Sequence, residues 1–218
     1  RDNLPGLEFR RVLFRSEGPW DRRILVSFFG GDVGPVLRPS LLSKPAGNEG
    51  FIAVNLKQDA RSRVLPLLDA QTGLHYKLYP APGADFDEGL RNCRAVITNG
   101  GHQTLSEALA LGKPVLALPQ EGQYEQELNA RMLERTGRGM RGTLRNLPRT
   151  LPKFLSSLDA LADRKVLPAA FRLRDSRAAL LDALNGAFAA YAAGAAPESA
   201  AAKIGLPWLL GRETGEAV

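Results

Sequence analysis

Short runs of branched apolar residues recur along the chain, each followed by a stretch with helical spacing. RILVSFF (23–29), GFIAVNL (50–56), LHYKLYP (74–80), AVIT (95–98) and PVLALP (114–119) read as strands, AVIT as a buried one. RSRVLPLLDAQTG (61–73) predicts a helix interrupted by Pro66 and stopped at Gly73, and FDEGLRNC (86–93) a brief one. HQTLSEALALG (102–112) predicts a helix with Leu105, Ala108 and Leu109 on one face. YEQELNARMLERTG (124–137) places Leu128, Met132 and Leu133 together, with Gly137 as its stop. LPKFLSSLDALA (151–162) and SRAALLDALNGAFAAYA (176–192) predict further helices, and SLLSKPAGNEG (40–50) has room for only a short one. Strands alternating with helices, without hairpin signals, predict an α/β, Rossmann-like parallel sheet with helices on both faces. The composition turns small and polar at Ala193, so 166–192 reads as a helical extension and 193–218 as a poorly ordered tail.

A hydrophobic share of 44% with 24% charged residues is ordinary for a globular chain. The single cysteine, Cys93, excludes an internal disulfide framework, is too little for a metal site, and reads as a small buried hydrophobe. The net charge of +6 invites a nucleic-acid reading, but Arg supplies 22 of the 29 basic residues and they are scattered. No basic stripe interleaves with aromatics, so nucleic acid is not an expected partner. No apolar run reaches the roughly 18 residues of a membrane span, and no secretory pattern stands out. The expected location is therefore cytoplasmic, with peripheral membrane contact left open by the basic surface. The chain opens without Met and its first is Met132, which reads as a fragment. RVLFRS (11–16) back-translates to a common sequencing-adapter end, so 1–16 is expected to be a non-native leader.

Two polar loops carry the chemistry. In NGGHQT, Gly100 and Gly101 remove side chains where backbone must approach a ligand, and the amides of His102 to Thr104 face an anion with the helix's positive end. Glu107, one turn further on, can accept from a vicinal diol such as a ribose. The same residues also fit a ligand-free explanation, a Thr104–Glu107 capping box. In QEGQYEQ, Glu125 and Gln126, with Asn129 beyond them, suit sugar hydroxyls; equally, Glu125 favours the helix dipole and Gln126 is solvated. His75 reads as structural, and His102 as a loop or cap residue rather than a catalytic base.

The stretch ITNGGHQTLSEALALGKPVLALPQEGQYEQELNARMLERTG (97–137) resembles the nucleotide-sugar signature of GT-B glycosyltransferases. That family includes the UDP-glycosyltransferases, the bacterial lipid-linked N-acetylglucosaminyltransferase and a prokaryotic branch with similar "TNGG…SEAL" wording. The resemblance implies that 17–165 is the donor-binding domain, the C-terminal half of a GT-B fold, serving a sugar transfer from a UDP-linked donor without a metal or other cofactor. It implies that Gly100, Gly101, His102, Gln103 and Thr104 lie along the donor diphosphate, and that Glu107 takes the ribose hydroxyls. Glu125, Gln126 and Asn129 would hold the donor sugar, and Gly30-Gly31 would border an interdomain cleft. Asn99 stands where many members have a histidine that contacts the diphosphate, so the resemblance implies a place for it in the donor site; it can donate a hydrogen bond but carries no charge. The base-binding loop would lie near Leu78 to Phe86, where Tyr79 offers a ring. The general base would belong to an acceptor domain absent from this chain, so the catalytic residues stay unassigned and the fragment alone is expected to be inactive. Two alternatives share the pattern: a nucleotide-sugar 2-epimerase and a non-catalytic nucleotide-sugar-binding module.

Overall fold

The computed structural model describes residues 24–163 and 171–193. The leader expected at 1–16 and most of the tail expected at 193–218 lie outside them. The chain divides into two compact units, Val26–Arg177 and a second made of Arg1–Leu25 with Ala178–Val218.

The first unit is built on five parallel strands: β1 (Ile52–Asn55), β2 (Tyr76–Tyr79), β3 (Ala95–Thr98), β4 (Val115–Ala117) and β5 (Gly139–Arg141), in the order β2-β1-β3-β4-β5. Ile52 pairs with Ala95 and Asn55 with Thr98, so β1 and β3 end level with each other. In this doubly wound order the chain changes direction between β1 and β3, and ligands bind beyond the carboxyl ends at such a switch point.

The helices are α1 (Pro39–Leu42), α2 (Gln58–Asp69), α3 (Phe86–Asn92), α4 (His102–Ala110), α5 (Tyr124–Thr136), α6 (Leu147–Ser156) and α7 (Leu158–Ala162); α2 to α5, which lie between strands, fall close to the spans their spacing predicts. Pro66 lies inside α2 without breaking it. The run 151–162, expected as one helix, is divided at Ser157. Gly137 ends α5 at φ 66°, the left-handed conformation expected of a glycine stop.

One face of the sheet buries Ile52, Val54, Ala95, Ile97 and Leu116 against α2 (Val64, Leu68), α6 (Leu151, Phe154) and Leu158 of α7. On β4 pack α4 and α5, whose buried Leu105, Leu109, Ala130 and Leu133 lie outside that cluster. Near-continuous apolar strands are what a sheet covered on both faces requires. Cys93 is fully buried, as expected of it, and burial pushes its thiol up to about 11.

Two elements differ from the sequence reading. RILVSFF is not a strand of the sheet, because β1 pairs directly with β3 and no place remains between them. Residues 26–33 instead fold back at Gly30 (φ 58°): Ser27 N donates to Val33 O at 3.0 Å, and Phe29 bridges Phe171. β5 is the addition. A Cβ on Gly139 would lie 2.5 Å from the Val115 carbonyl and 2.6 Å from a Leu133 methyl carbon, so only glycine lets β5 close on β4 beneath α5.

Within the second unit, the described chain is chiefly α8 (Arg177–Ala192), which begins at the last residue of the first unit and has no buried residue. Among the described residues no helix is long and apolar enough to cross a membrane.

Candidate functional site

The polar residues singled out in the sequence gather at the carboxyl ends of β1, β3 and β4. Asn99, 8% exposed, follows β3 and ties all three ends together. Its Oδ1 accepts from Lys57 N at 2.9 Å, just beyond β1, and its Nδ2 donates to Leu118 O at 3.1 Å, just beyond β4. Both ends of the amide thus serve the scaffold.

Gly100 holds φ 87°, and Gly101 is the N-cap of α4. No side chain caps this helix. The capping-box explanation therefore fails: Thr104 is the third helical residue and Glu107 faces Arg38. The first-turn amides, His102 to Thr104, have no partner within the helix, as for any helix start.

The second loop is fastened to the first. Asn129, 2% exposed, donates through Nδ2 to Gly100 O at 3.2 Å and approaches Glu125 Oε1 at 3.4 Å. Gln126 Oε1 accepts from Gln120 N at 2.9 Å, holding the turn before α5. Asn129 and Gln126 thus act first on backbone, and Glu125 is the exposed member of the three.

Segment 26–33 reaches α4 through His102, whose Nε2 accepts from Phe28 N at 3.1 Å. The bond anchors Phe28, two residues before Gly30, at that helix start. Accepting at Nε2 requires a neutral ring with its proton on Nδ1. Burial lowers the His102 pKa, opposed by the nearby Glu125 carboxylate. The folded value thus lies below the ordinary 6.5, and the unfolded chain binds more protons between the two. This contribution to stability is complete above pH 6.5 and is lost as pH falls through the folded pKa. Denaturation midpoints measured from pH 7.5 to 5.0 are expected to fall more steeply for the parent than for His102→Gln; parallel profiles would exclude the neutral-histidine contact.

Glu107 is the most committed group. Its side chain has no exposure and receives Arg38 Nε at 2.8 Å, Arg38 Nη2 at 2.6 Å and Gln103 Nε2 at 2.6 Å. Gln103 Nε2 also donates to Val36 O at 3.0 Å. Arg38 continues through Nη1 to Asp87, the second residue of α3, which Ser40 also contacts. The Glu107 hydrogen bond raises the Arg38 pKa above its ordinary value, against the opposing effect of burial. Sequence reasoning missed Arg38 and Asp87. Arg38 lies 69 residues from Glu107 and 49 from Asp87 in the chain, and no local spacing signals such pairs.

Tyr79, considered as a base-stacking ring, is 4% exposed. It packs beside Phe86 at 5.2 Å, and a Cβ on Gly89 would meet its hydroxyl at 2.1 Å. Lys113, in the Gly-Lys-Pro turn, is buried and donates to Cys93 O at 2.8 Å and to Gly47 O. Burial lowers its pKa. Its ammonium stabilises the carboxyl end of α3. Among the described residues no cluster of His, Cys, Asp or Glu could hold a metal ion.

An uncharacterized glycosyltransferase of Methanosarcina mazei is 32% identical over 124 residues, covering 48% of this chain and 31% of the relative. One from Methanosarcina acetivorans is 53% identical over 51 residues, covering 23% and 13%. The matched segments thus span under a third of these relatives. Among solved structures, the kitacinnamycin glycotransferase is similar with a TM-score of 0.46 at 21% identity, over 61% of this chain and 42% of that one. The calicheamicin glycosyltransferase gives 0.45 at 21% identity, over 75% and 46%. The family model of glycosyl transferase family 1 matches residues 35–159, a stretch that contains all five strands and both polar loops. With more than half of its 218 residues inside that match, the chain belongs to glycosyl transferase family 1.

Proposed function

We propose that Val26–Arg177 is the donor-binding domain of a glycosyltransferase that takes its sugar from a nucleoside diphosphate, UDP in the first instance. The observation that carries this is the fastening of the two loops: Asn129 holds the Gly100 carbonyl, and α4 starts beside it without a side-chain cap. A helix start left uncapped and flanked by glycines suits a diphosphate, through amide hydrogen bonds and the positive end of the dipole. Glu125, exposed beside Asn129, suits a sugar hydroxyl, and Glu107, one turn along α4, suits the ribose. In group transfer such a site holds the departing diphosphate and stabilises its charge with preorganised amides. The acceptor and its activating base would come from another domain.

Calorimetry with UDP, UDP-glucose, UDP-N-acetylglucosamine and dTDP-glucose tests the reading. Saturable binding of at least one is expected, and absence of binding by all four overturns it. Glu107→Ala, which removes a charged acceptor, is expected to weaken binding by roughly 1.5–3 kcal/mol. An unchanged affinity would take the ribose away from Glu107.

A further inference from the structure

The Glu107 carboxylate offers about four acceptor positions, and three donors already hold it. A fourth contact, from Arg38 N, stands at 3.4 Å. With its side chain wholly buried, Glu107 has no room to add a diol. Two hydroxyls can reach it only by replacing a donor pair, and the bidentate guanidinium is the pair with matching geometry. Arg38 is suited to leave. Its side chain is 40% exposed, and Asp87, 20% exposed, already binds its Nη1. A cavity of about 410 Å³, lined by Val36, Leu37, Arg38, Pro39, Gln103 and Arg177, opens beside the pair.

We propose that Arg38 is a displaceable latch on Glu107: the vicinal diol of a nucleoside diphosphate takes the two oxygens that the guanidinium holds, and the guanidinium stays on Asp87. This rests on the reading of Glu107 as the ribose acceptor. No proton moves and no covalent bond changes; one bidentate pair replaces another. In the free protein the latched arrangement competes with the nucleotide, and the apparent affinity falls by the fraction of molecules unlatched. Asp87 acts as a positioning residue that keeps the released cation neutralised near the site.

The test is calorimetry on the full 218-residue chain with UDP and 2′,3′-dideoxy-UDP, using the parent, Arg38→Met, Asp87→Asn and the double variant. Arg38→Met is expected to bind UDP about fivefold or more tightly than the parent, with no gain for the dideoxy nucleotide. Asp87→Asn alone is expected to weaken UDP binding, and the double variant to match Arg38→Met, because Asp87 matters only while Arg38 is present. Should Arg38→Met fail to fold, Arg38→Lys gives the answer, since a single ammonium holds the two oxygens less firmly and UDP should again bind more tightly. Weaker UDP binding in the Arg38 variants, or a double variant as weak as Asp87→Asn, overturns the latch and makes those side chains direct contacts or scaffold. Parent binding to UDP without a gain in the Arg38 variants sinks the latch alone. No nucleotide bound by any variant removes the donor reading and the latch together.

Discussion

Asn99→Ala is expected to lower stability by about 2–4 kcal/mol, because it leaves two backbone groups at the strand ends without their partner. Leu118 O is the costlier, since its bond to Asn99 is buried; Lys57 N lies on an exposed residue, where water can partly replace the amide. For a chain of this size the thermal midpoint should fall by roughly 5–15 °C. Asn99→Asp separates the two contributions: it keeps an acceptor for Lys57 N, loses the donor to Leu118 O, and places a charge where the side chain is nearly covered. Both variants should be destabilised. If instead both keep the parent midpoint, Asn99 is not the tie between β1, β3 and β4, and it becomes available to a ligand, as the resemblance implied.

The way Asn99 is used shows how far the sequence could be read. β1 to β4 and the long helices α4 and α5 were legible because their apolar spacing is regular and their ends carry Gly stops. The polar residues at the carboxyl ends of β3 and β4 were legible as a group because a parallel sheet puts such loops side by side. What each side chain does there was not. An amide can hold a ligand or a neighbouring strand, and the choice depends on a backbone carbonyl 19 residues away and a backbone N–H 42 residues away in the chain. Arg38 was invisible for a related reason: it is one of 22 scattered arginines, and only folding sets it against Glu107 and Asp87. RILVSFF carried a strand's composition, yet its Phe28 is buried by contact with His102 and Phe171 instead of by strand neighbours. β5 lacked any signal, being three residues long with a glycine at its start.

The neighbouring glycines should respond in opposite ways to the same added methyl. Gly100→Ala is expected to cost about 2–4 kcal/mol, since an L-residue is strained at φ 87°. The new Cβ would also stand 3.3 Å from Gln126 O and 3.6 Å from the Ala117 Cβ. Relief would require the backbone of α5's first turn to shift, parting the two loops that Asn129 joins. Gly101 has φ −62° and ψ 139°, a conformation open to any residue, and a Cβ there meets no heavy atom within 4 Å. Gly101→Ala should therefore fold as stably as the parent, within about 0.5 kcal/mol, the small loss of N-cap preference offset by a less flexible unfolded chain. If the diphosphate rests on this turn, however, the methyl occupies its approach, and UDP affinity should fall about tenfold or more, the effect of crowding a fitted contact. Denaturation and calorimetry on both variants separate the two causes. Loss of binding without loss of stability at Gly101 is the expected signature of a backbone opened for a ligand, whereas parental UDP affinity in Gly101→Ala would move the diphosphate away from the start of α4.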